Sequence, residues 1–506
     1  MANSLTFVKG AGGLGRELPG EDHISAYLHY TSATLPTGFS SGSRIKLVYS
    51  VAEAEALGIT DASLGATAST STFEVTNKGA VGDTMSFTCS TITGAQTGVP
   101  VVLASYTQVT ADVTSLTTAA ARLSAEINLG TATHGFTASP STATVTITAP
   151  KNQGVFLNTG SPYVATIVGT LAGTLVQNVV TGVMSTIDIM HYNISEYFRM
   201  QPKGVLYIGI YAVTTDFAEV STMQNYSQGV IRQMGVYTHE TFATGDVTKL
   251  QTQATAMEAV YKPLEILYLG NFSAVSDLTT LSQLHALTAQ NVSPCFGQDG
   301  AETGYHLWKA TAKSIGCLGT TLGTVSLAKV NESIAWIGKF NIADGEFETL
   351  AFANGTALNT LTDGQINAVD DKGYIFLKKH VGLDGSYFDN PYTAVAVISD
   401  YSRINFNRTI NKAIRSLRTY ILPTLASPLL VNTDGTLTED VIAYYETLGQ
   451  RALDIMVRNG ELSGFTITIN PAQNVISTST LTIAVALLLV PSADVIVVNI
   501  GFATSL

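Results

Sequence analysis

Ser402-Arg-Ile-Asn-Phe-Asn-Arg408-Thr-Ile-Asn-Lys412-Ala-Ile-Arg415-Ser-Leu-Arg418-Thr-Tyr-Ile-Leu422 is the stretch on which the reading of this chain turns. Phe406, Ile410, Ile414, Leu417 and Ile421 recur at spacings of four, four, three and four, one face of an α-helix that is expected to point into a core. Arg408, Lys412 and Arg415 fall on the opposite face, with Arg403 and Arg418 flanking. No Asp or Glu lies between Tyr401 and Tyr420, so the segment stands at +5 in a chain of net charge −12. Solvated helices normally interleave both signs. A run of one sign therefore reads as a docking face for an acidic partner, with a plain solvated face as the alternative.

Outward from this helix, a second is expected from Thr438-Glu439-Asp440, a cap with an acidic first turn, to Gly460, with the stripe Val441, Tyr445, Leu448, Ala452 and Ile455. Three strand-like runs follow: Phe465–Ile469, Leu481–Val490 and Val495–Phe502, bounded by Pro471, Pro491 and Gly501. The middle run is too short to cross a bilayer as a helix, which needs about 20 residues. The last is apolar and β-forming, and such a strand needs a neighbour for its backbone; that neighbour is expected in another subunit.

At 506 residues the chain exceeds one core and should hold about three domains. Charged residues make up only 13% of it, which suggests that much surface is covered by other subunits. The first residues lack the basic and apolar regions of a secretory signal, so none is expected. Cys89, Cys295 and Cys317 form no Cys-x-x-Cys pair and read as buried thiols. His23 and His29 would share one face of an alternating strand but lack a third zinc ligand.

Two motifs suggest enzymes and fail on context. Gly10-Ala-Gly12-Gly-Leu-Gly15 follows a short strand as a dinucleotide loop should, but Pro19-Gly20 breaks the helix that must follow. Gly38-Phe-Ser40-Ser-Gly42 lacks the strand before and helix after that a nucleophile elbow needs, and reads as a loop. The carboxylates Asp370, Asp371, Asp384 and Asp389 sit beside Gly373, Gly382 and Gly385 and read as solvated turn residues, neither a catalytic pair nor a magnesium site.

Val51–Leu57 reads as a short helix. From residue 61 to 187 the composition shifts to Thr, Ser, Ala, Gly and Val, with no charge between Lys151 and Asp188. Strands are expected near residues 72–75, 84–89, 101–106, 143–148 and 164–169, with a helix at 111–127, so this is a β-rich domain inserted in a loop. From Gly204 strands and helices alternate: strands 205–210, 230–237, 264–269 and 292–296, with helices 220–228, 247–261 and 278–287. That predicts a mostly parallel sheet. The fold class is thus α/β and α+β multidomain: an arm and first core part at 1–60, the insertion at 61–187, a central α/β domain at 188–398 and a C-terminal α+β domain at 399–506.

Several segments together resemble one family. His23-Ile-Ser-Ala-Tyr-Leu-His-Tyr30 with Leu35-Pro-Thr-Gly-Phe39, Val330-Asn-Glu-Ser-Ile-Ala-Trp336, Lys372-Gly-Tyr-Ile-Phe-Leu-Lys-Lys379 to Gly385-Ser-Tyr-Phe388, and Ser399-Asp-Tyr-Ser-Arg-Ile-Asn-Phe-Asn-Arg408 to Pro423 resemble the contractile tail sheath proteins of bacteriophages and prophages. The resemblance covers residues 1–60 and 188–506; Thr72–Gly154 is similar to a β-rich insertion of phage tail proteins. It implies a structural subunit, not an enzyme, with no cofactor. Such a subunit polymerises as stacked hexameric rings in a helical sheath around a tail tube and contracts to drive the tube through an envelope. It also implies baseplate and tail terminator proteins as partners, a virion location after assembly in the host cytoplasm, and an innermost C-terminal domain.

On this resemblance Arg403, Arg408, Lys412, Arg415 and Arg418 would face the tube. Leu5, Thr6, Phe7, Val8, Val495, Ile496, Val497, Val498, Ile500 and Phe502 would belong to arms exchanged between subunits, adding strands to the sheet of Phe465–Ile469 and Leu481–Val490. The sheath of a phage-derived injection system is a close alternative. An α/β nucleotide-binding enzyme is the alternative from another class. A nucleic-acid binder is disfavoured by the acidic total and the absence of aromatics among the basic residues, and no membrane span is expected.

Overall fold

A computed structural model describes residues 21–500, apart from 94, 95, 495 and 499. The expected strand Leu5–Lys9 and the Gly10–Gly15 loop lie outside these residues. The chain divides into two compact units: Met1–Leu327 with Ile334–Val397, and Ala328–Ser333 with Ile398–Leu506.

The first unit is built on a six-stranded sheet. Its order is Val292–Pro294, Glu265–Asn271, Gln233–Thr241, Ile24–Tyr30, Val205–Tyr211 and Ile45–Val48, and only the last pairing is antiparallel. The alternation after Gly204 anticipates this sheet, but its centre is the early strand Ile24–Tyr30, buried almost throughout. Leu28 aligns with Gly209 and Val236. A Cβ on Gly209 would meet Met223 of the Glu219–Tyr226 helix at 2.6 Å, while one on Gly235, the neighbour of Val236 in its strand, would meet Leu322 of the Leu318–Leu327 helix at 3.3 Å. Adjacent strand residues face opposite ways, so helices cover both faces, as a parallel sheet requires.

Helix Leu318–Leu327 also lies against helix Thr186–Met200 at backbone distance. A Cβ on Gly319 would stand 2.1 Å from the Asn193 carbonyl oxygen, and one on Gly323 2.6 Å from that of Tyr197. Two glycines four apart on one helical face make this approach possible.

The helix expected at 278–287 is not formed. Two short 3-10 turns, Leu278–Thr280 and Leu284–Ala286, take its place. The Lys372 ammonium holds the first of these turns, donating to the carbonyls of Leu278, Thr279 and Leu281 at 3.1, 2.7 and 2.7 Å.

The insertion is tied at its base by reciprocal Thr67–Val183 backbone bonds of 2.9 Å. It contains a four-stranded sheet (Thr137–Ser141, Thr144–Thr148, Thr70–Lys78, Leu171–Val180) and a three-stranded one (Gln96–Thr107, Thr84–Thr93, Tyr163–Val168). With helix Leu116–Leu129 they enclose Phe73, Phe87, Leu123, Phe136 and Tyr163. The sequence reading lacks the strands 137–141 and 171–180, whose Gly, Ala and Pro residues weaken the alternation.

The second unit packs helices Ile404–Ile421 and Glu439–Arg458 against a hairpin of Leu462–Thr468 and Ala484–Leu489. Thr438 caps the second helix, its hydroxyl accepting the Val441 N–H, and Gly460 ends it at φ +72°. Val457, Phe465, Ile467, Val485 and Leu487 pack around Ala413, Leu453 and Met456.

Candidate assembly surface

At the carboxyl ends of the central strands, where such sheets take ligands, Phe217 is 4% exposed and stands edge-on to both Tyr30 and Tyr268. An aromatic side chain is thus buried beside these strand ends. Tyr30 donates to Glu219 at 2.8 Å, and burial followed by that bond raises its pKa. His29 is buried and stacked on Tyr237; burial, then the nearby His239, pulls its pKa to about 3, so it stays neutral. No group of three His, Cys, Asp or Glu able to hold a metal occurs among the described residues. All three cysteines are buried.

The acidic turn is less solvated than expected. Asp371 and Asp384 are exposed, but Asp389 is 8% exposed and ion-paired with Lys378. Asn390 donates to Asp370 at 2.9 Å, and burial raises the Asp370 pKa. Hairpin pairing of Leu377–His380 with Leu383–Phe388 draws Asp389 inward, so this is a structural ion pair.

The basic helix is divided in a way its periodicity does not show. Arg408 is 4% exposed and donates to the carbonyls of Ala328 and Lys329 at 3.2 and 3.3 Å. Thr409 donates to Val330 and Asn405 to Asn331, so the segment 328–333 is laid along the polar face through its carbonyls. Lys412 pairs with Glu461, which begins the turn into the hairpin, at 2.6 Å. Arg403 pairs with Asp494 at 2.7 Å. These three cations, expected to face outward, are engaged inside the unit, and Arg415 and Arg418 are partly exposed. The apolar stripe shifts correspondingly: Leu417 and Ile421 join the core, while Ile414 is 38% exposed. Unpaired carbonyls of 328–333 would be costly to bury, and the only donors long enough to reach them from a helix are polar side chains.

Arg408→Leu should expose this dependence. Bonds from a charged donor are worth about 1.5–3 kcal/mol each, so the loss of both is expected to destabilise the C-terminal unit by about 3 kcal/mol. Limited proteolysis should then cut near 328–333 and within 404–421 at lower protease concentrations than in the parent chain.

The hairpin is a two-stranded sheet, and among the described residues neither outer edge is paired. Its inner face packs on the helices, and its outer face presents Thr466, Thr468, Ala484, Ala486 and Leu488, all exposed. Beyond Asp494 no strand is formed among the described residues: Ile496, Val497, Val498 and Ile500 are 78%, 77%, 70% and 92% exposed. Val495 and Phe502 lie outside the described residues. Two open sheet edges thus stand in the same unit as an apolar segment that has no strand partner among the described residues.

No curated protein matches the sequence. Among solved structures, the chain is similar to the helical sheath of the anti-feeding prophage in its contracted state, with 14% identity over 62% of this chain and 81% of that one and a TM-score of 0.45. It is similar to the sheath of the extracellular contractile injection system PVC in its contracted state, with 12% identity over 62% and 80% and a TM-score of 0.43. It is also similar to a sheath tail protein from Desulfitobacterium hafniense, with 10% identity over 92% and 93% and a TM-score of 0.35. A family model described as the DUF2586 N-terminal domain matches residues 76–391, and one described as the DUF2586 C-terminal domain matches residues 400–506. The chain therefore belongs to the DUF2586 family.

Proposed function

We propose that this chain is the structural subunit of a contractile sheath, polymerising around a tube through strands exchanged between copies. The observation that carries this reading is the open-edged hairpin in the same unit as the exposed apolar residues Ile496, Val497, Val498 and Ile500. A segment so apolar gains by leaving water, and a sheet edge offers both backbone partners and apolar cover. Arm-to-edge contact is heterologous, since each copy gives one surface and takes another, so it repeats into rings or helices and does not close as a dimer. The resemblance of residues 372–423 to tail sheath proteins supports the same reading.

Electron microscopy of the purified chain tests it: long hollow tubes are expected, and monodisperse particles at high protein concentration would sink it. Of the five cations assigned to the tube, Arg408 is buried and Arg415 and Arg418 are partly exposed, so the tube contact is tested first at those two. Reversing charge at both, Arg415→Glu with Arg418→Glu, is expected to reduce co-sedimentation with the tube protein while self-assembly persists. Unchanged co-sedimentation would remove these two from the contact.

A further inference from the structure

The six-stranded sheet ends on one side at Ile45–Val48, whose only strand neighbour among the described residues is Val205–Tyr211. The Ile210 N–H donates to the Arg44 carbonyl at 3.1 Å, and the pairing continues through Lys46 with Ile208 and Val48 with Leu206. Successive residues of an antiparallel strand turn their backbone groups to alternate sides, so Ile45 and Leu47 aim theirs away from the sheet. Glu53 accepts the N–H of Tyr49 at 2.8 Å and so closes the edge at its far end.

At the Arg44 end of this edge, residues 41–45 with Tyr211 and Tyr226 line a cavity of about 230 Å³. Its rim is a tight turn closed by reciprocal backbone bonds between Ser40 and Ser43, of 3.2 and 3.0 Å. Arg44 gives Nη1 to the Ile210 carbonyl at 3.1 Å and stands 5.6 Å from the centre of the Tyr211 ring. Its other N–H groups, and the Ser41 and Ser43 hydroxyls, have no partner among the described residues. Glu219, whose charge Tyr211 also feels, already accepts the Tyr30 and Thr214 hydroxyls at 2.8 and 3.0 Å. A guanidinium fork beside two hydroxyls matches the two oxygens of a carboxylate, and the flanking rings cover an aliphatic stem. Sites for whole small molecules measure about 300–1,000 Å³, so this cavity is sized for a side chain.

We propose that the cavity receives an aspartate or glutamate side chain from a second copy of the chain, carried on an extended segment that pairs with the edge at Ile45 and Leu47. Backbone pairing along an edge accepts almost any sequence, and a pocket beside it selects the side chain. The chain has 38 acidic against 26 basic residues, so its own copies bring carboxylates in excess to an arginine that has none. Tyrosine and arginine are also the residues that most often anchor such contacts. Resting on the reading that copies assemble, this contact adds to the one proposed for the C-terminal hairpin and uses different residues.

Arg44→Lys tests it by placing a primary amine in the cavity while keeping the charge. Unlabelled and heavy-isotope-labelled copies of this variant are assembled together and treated with a carbodiimide, which condenses an amine with a touching carboxylate and removes one water. Mass spectrometry is expected to find amides from position 44 to an Asp or Glu of the other isotope. Tyr226 is 60% exposed and not needed for the fold, so adding Tyr226→Ala should open the cavity and lower that yield about fivefold. Arg44→Gln should raise the concentration needed for tube formation about tenfold, with little change in thermal unfolding. Amides confined to single copies, no amides at position 44, or a yield that Tyr226→Ala leaves unchanged would each overturn the proposal. Tubes that form without such amides would refute this contact and leave the sheath reading standing. If the parent chain forms no tubes, the sheath reading fails, and the same reaction on the concentrated soluble variant decides this site: amides between copies uphold it, and their absence refutes it.

Discussion

Removing residues 495–506 is expected to leave a folded, soluble chain that no longer forms long tubes. Ile496, Val497, Val498 and Ile500 are at least 70% exposed, so the isolated unit gains almost nothing from them and should lose little stability. In an assembly each would contribute about 1.5–3 kcal/mol on burial. Strand pairing adds about 1 kcal/mol per backbone hydrogen bond. Even after the cost of association, a contact weakened by about 6 kcal/mol raises the concentration needed for assembly by about four orders of magnitude. Sedimentation and negative-stain microscopy of the truncated and intact proteins at matched concentration would measure this. Tubes of normal length from the truncated chain would show that the segment does not link copies. A milder variant, Val497→Asp with Ile500→Asp, should act in the same direction, because a charge cannot be buried unpaired between strands.

Gly319→Val is expected to have the largest effect on the fold of the first unit. The Cβ position lies 2.1 Å from a backbone oxygen and 2.7 Å from the Asn193 Cα, neither of which can rotate away. The Gly319 N–H also donates to Asn193 Oδ1 at 2.8 Å, a bond lost if the helices separate. Overpacking against backbone, with a buried amide left unpaired, should cost about 3 kcal/mol or more. That is a large part of an ordinary domain's stability of about 5–15 kcal/mol. The expected result is insoluble protein, or a lowered urea midpoint for the first unit with the insertion and the C-terminal unit less affected. Gly319→Ala should lie between. A valine variant with the parental midpoint would mean that the two helices part without penalty.

Local chemistry made much of this fold legible in the sequence. The capped helix from Thr438 and the alternating strands after Gly204 rest on signals contained within a few residues. What was missed depends on partners distant in sequence. The run at 278–287 forms two short turns, the first bonded to a lysine ninety residues away, and periodicity has no access to that. The basic helix shows the same limit. Its charges look like a solvent face because the carbonyls of 328–333 that occupy Arg408 appear nowhere near it in the chain. The lone acidic residues Glu461 and Asp494, each matched to one cation, were the available hint. The segment proposed for assembly stands out in the sequence because four apolar residues in a row, Val495–Val498, need no partner to be noticed.

The bond between Arg403 and Asp494 gives the chain a ruler. With Asp494 held at the start of the first helix, Phe502 lies only eight residues further along the chain. At about 3.3 Å per residue a fully extended stretch of that length covers about 26 Å. Any second molecule that accepts this stretch must bring its hairpin rim within that radius, so the separation between linked molecules is capped by the length of the leash.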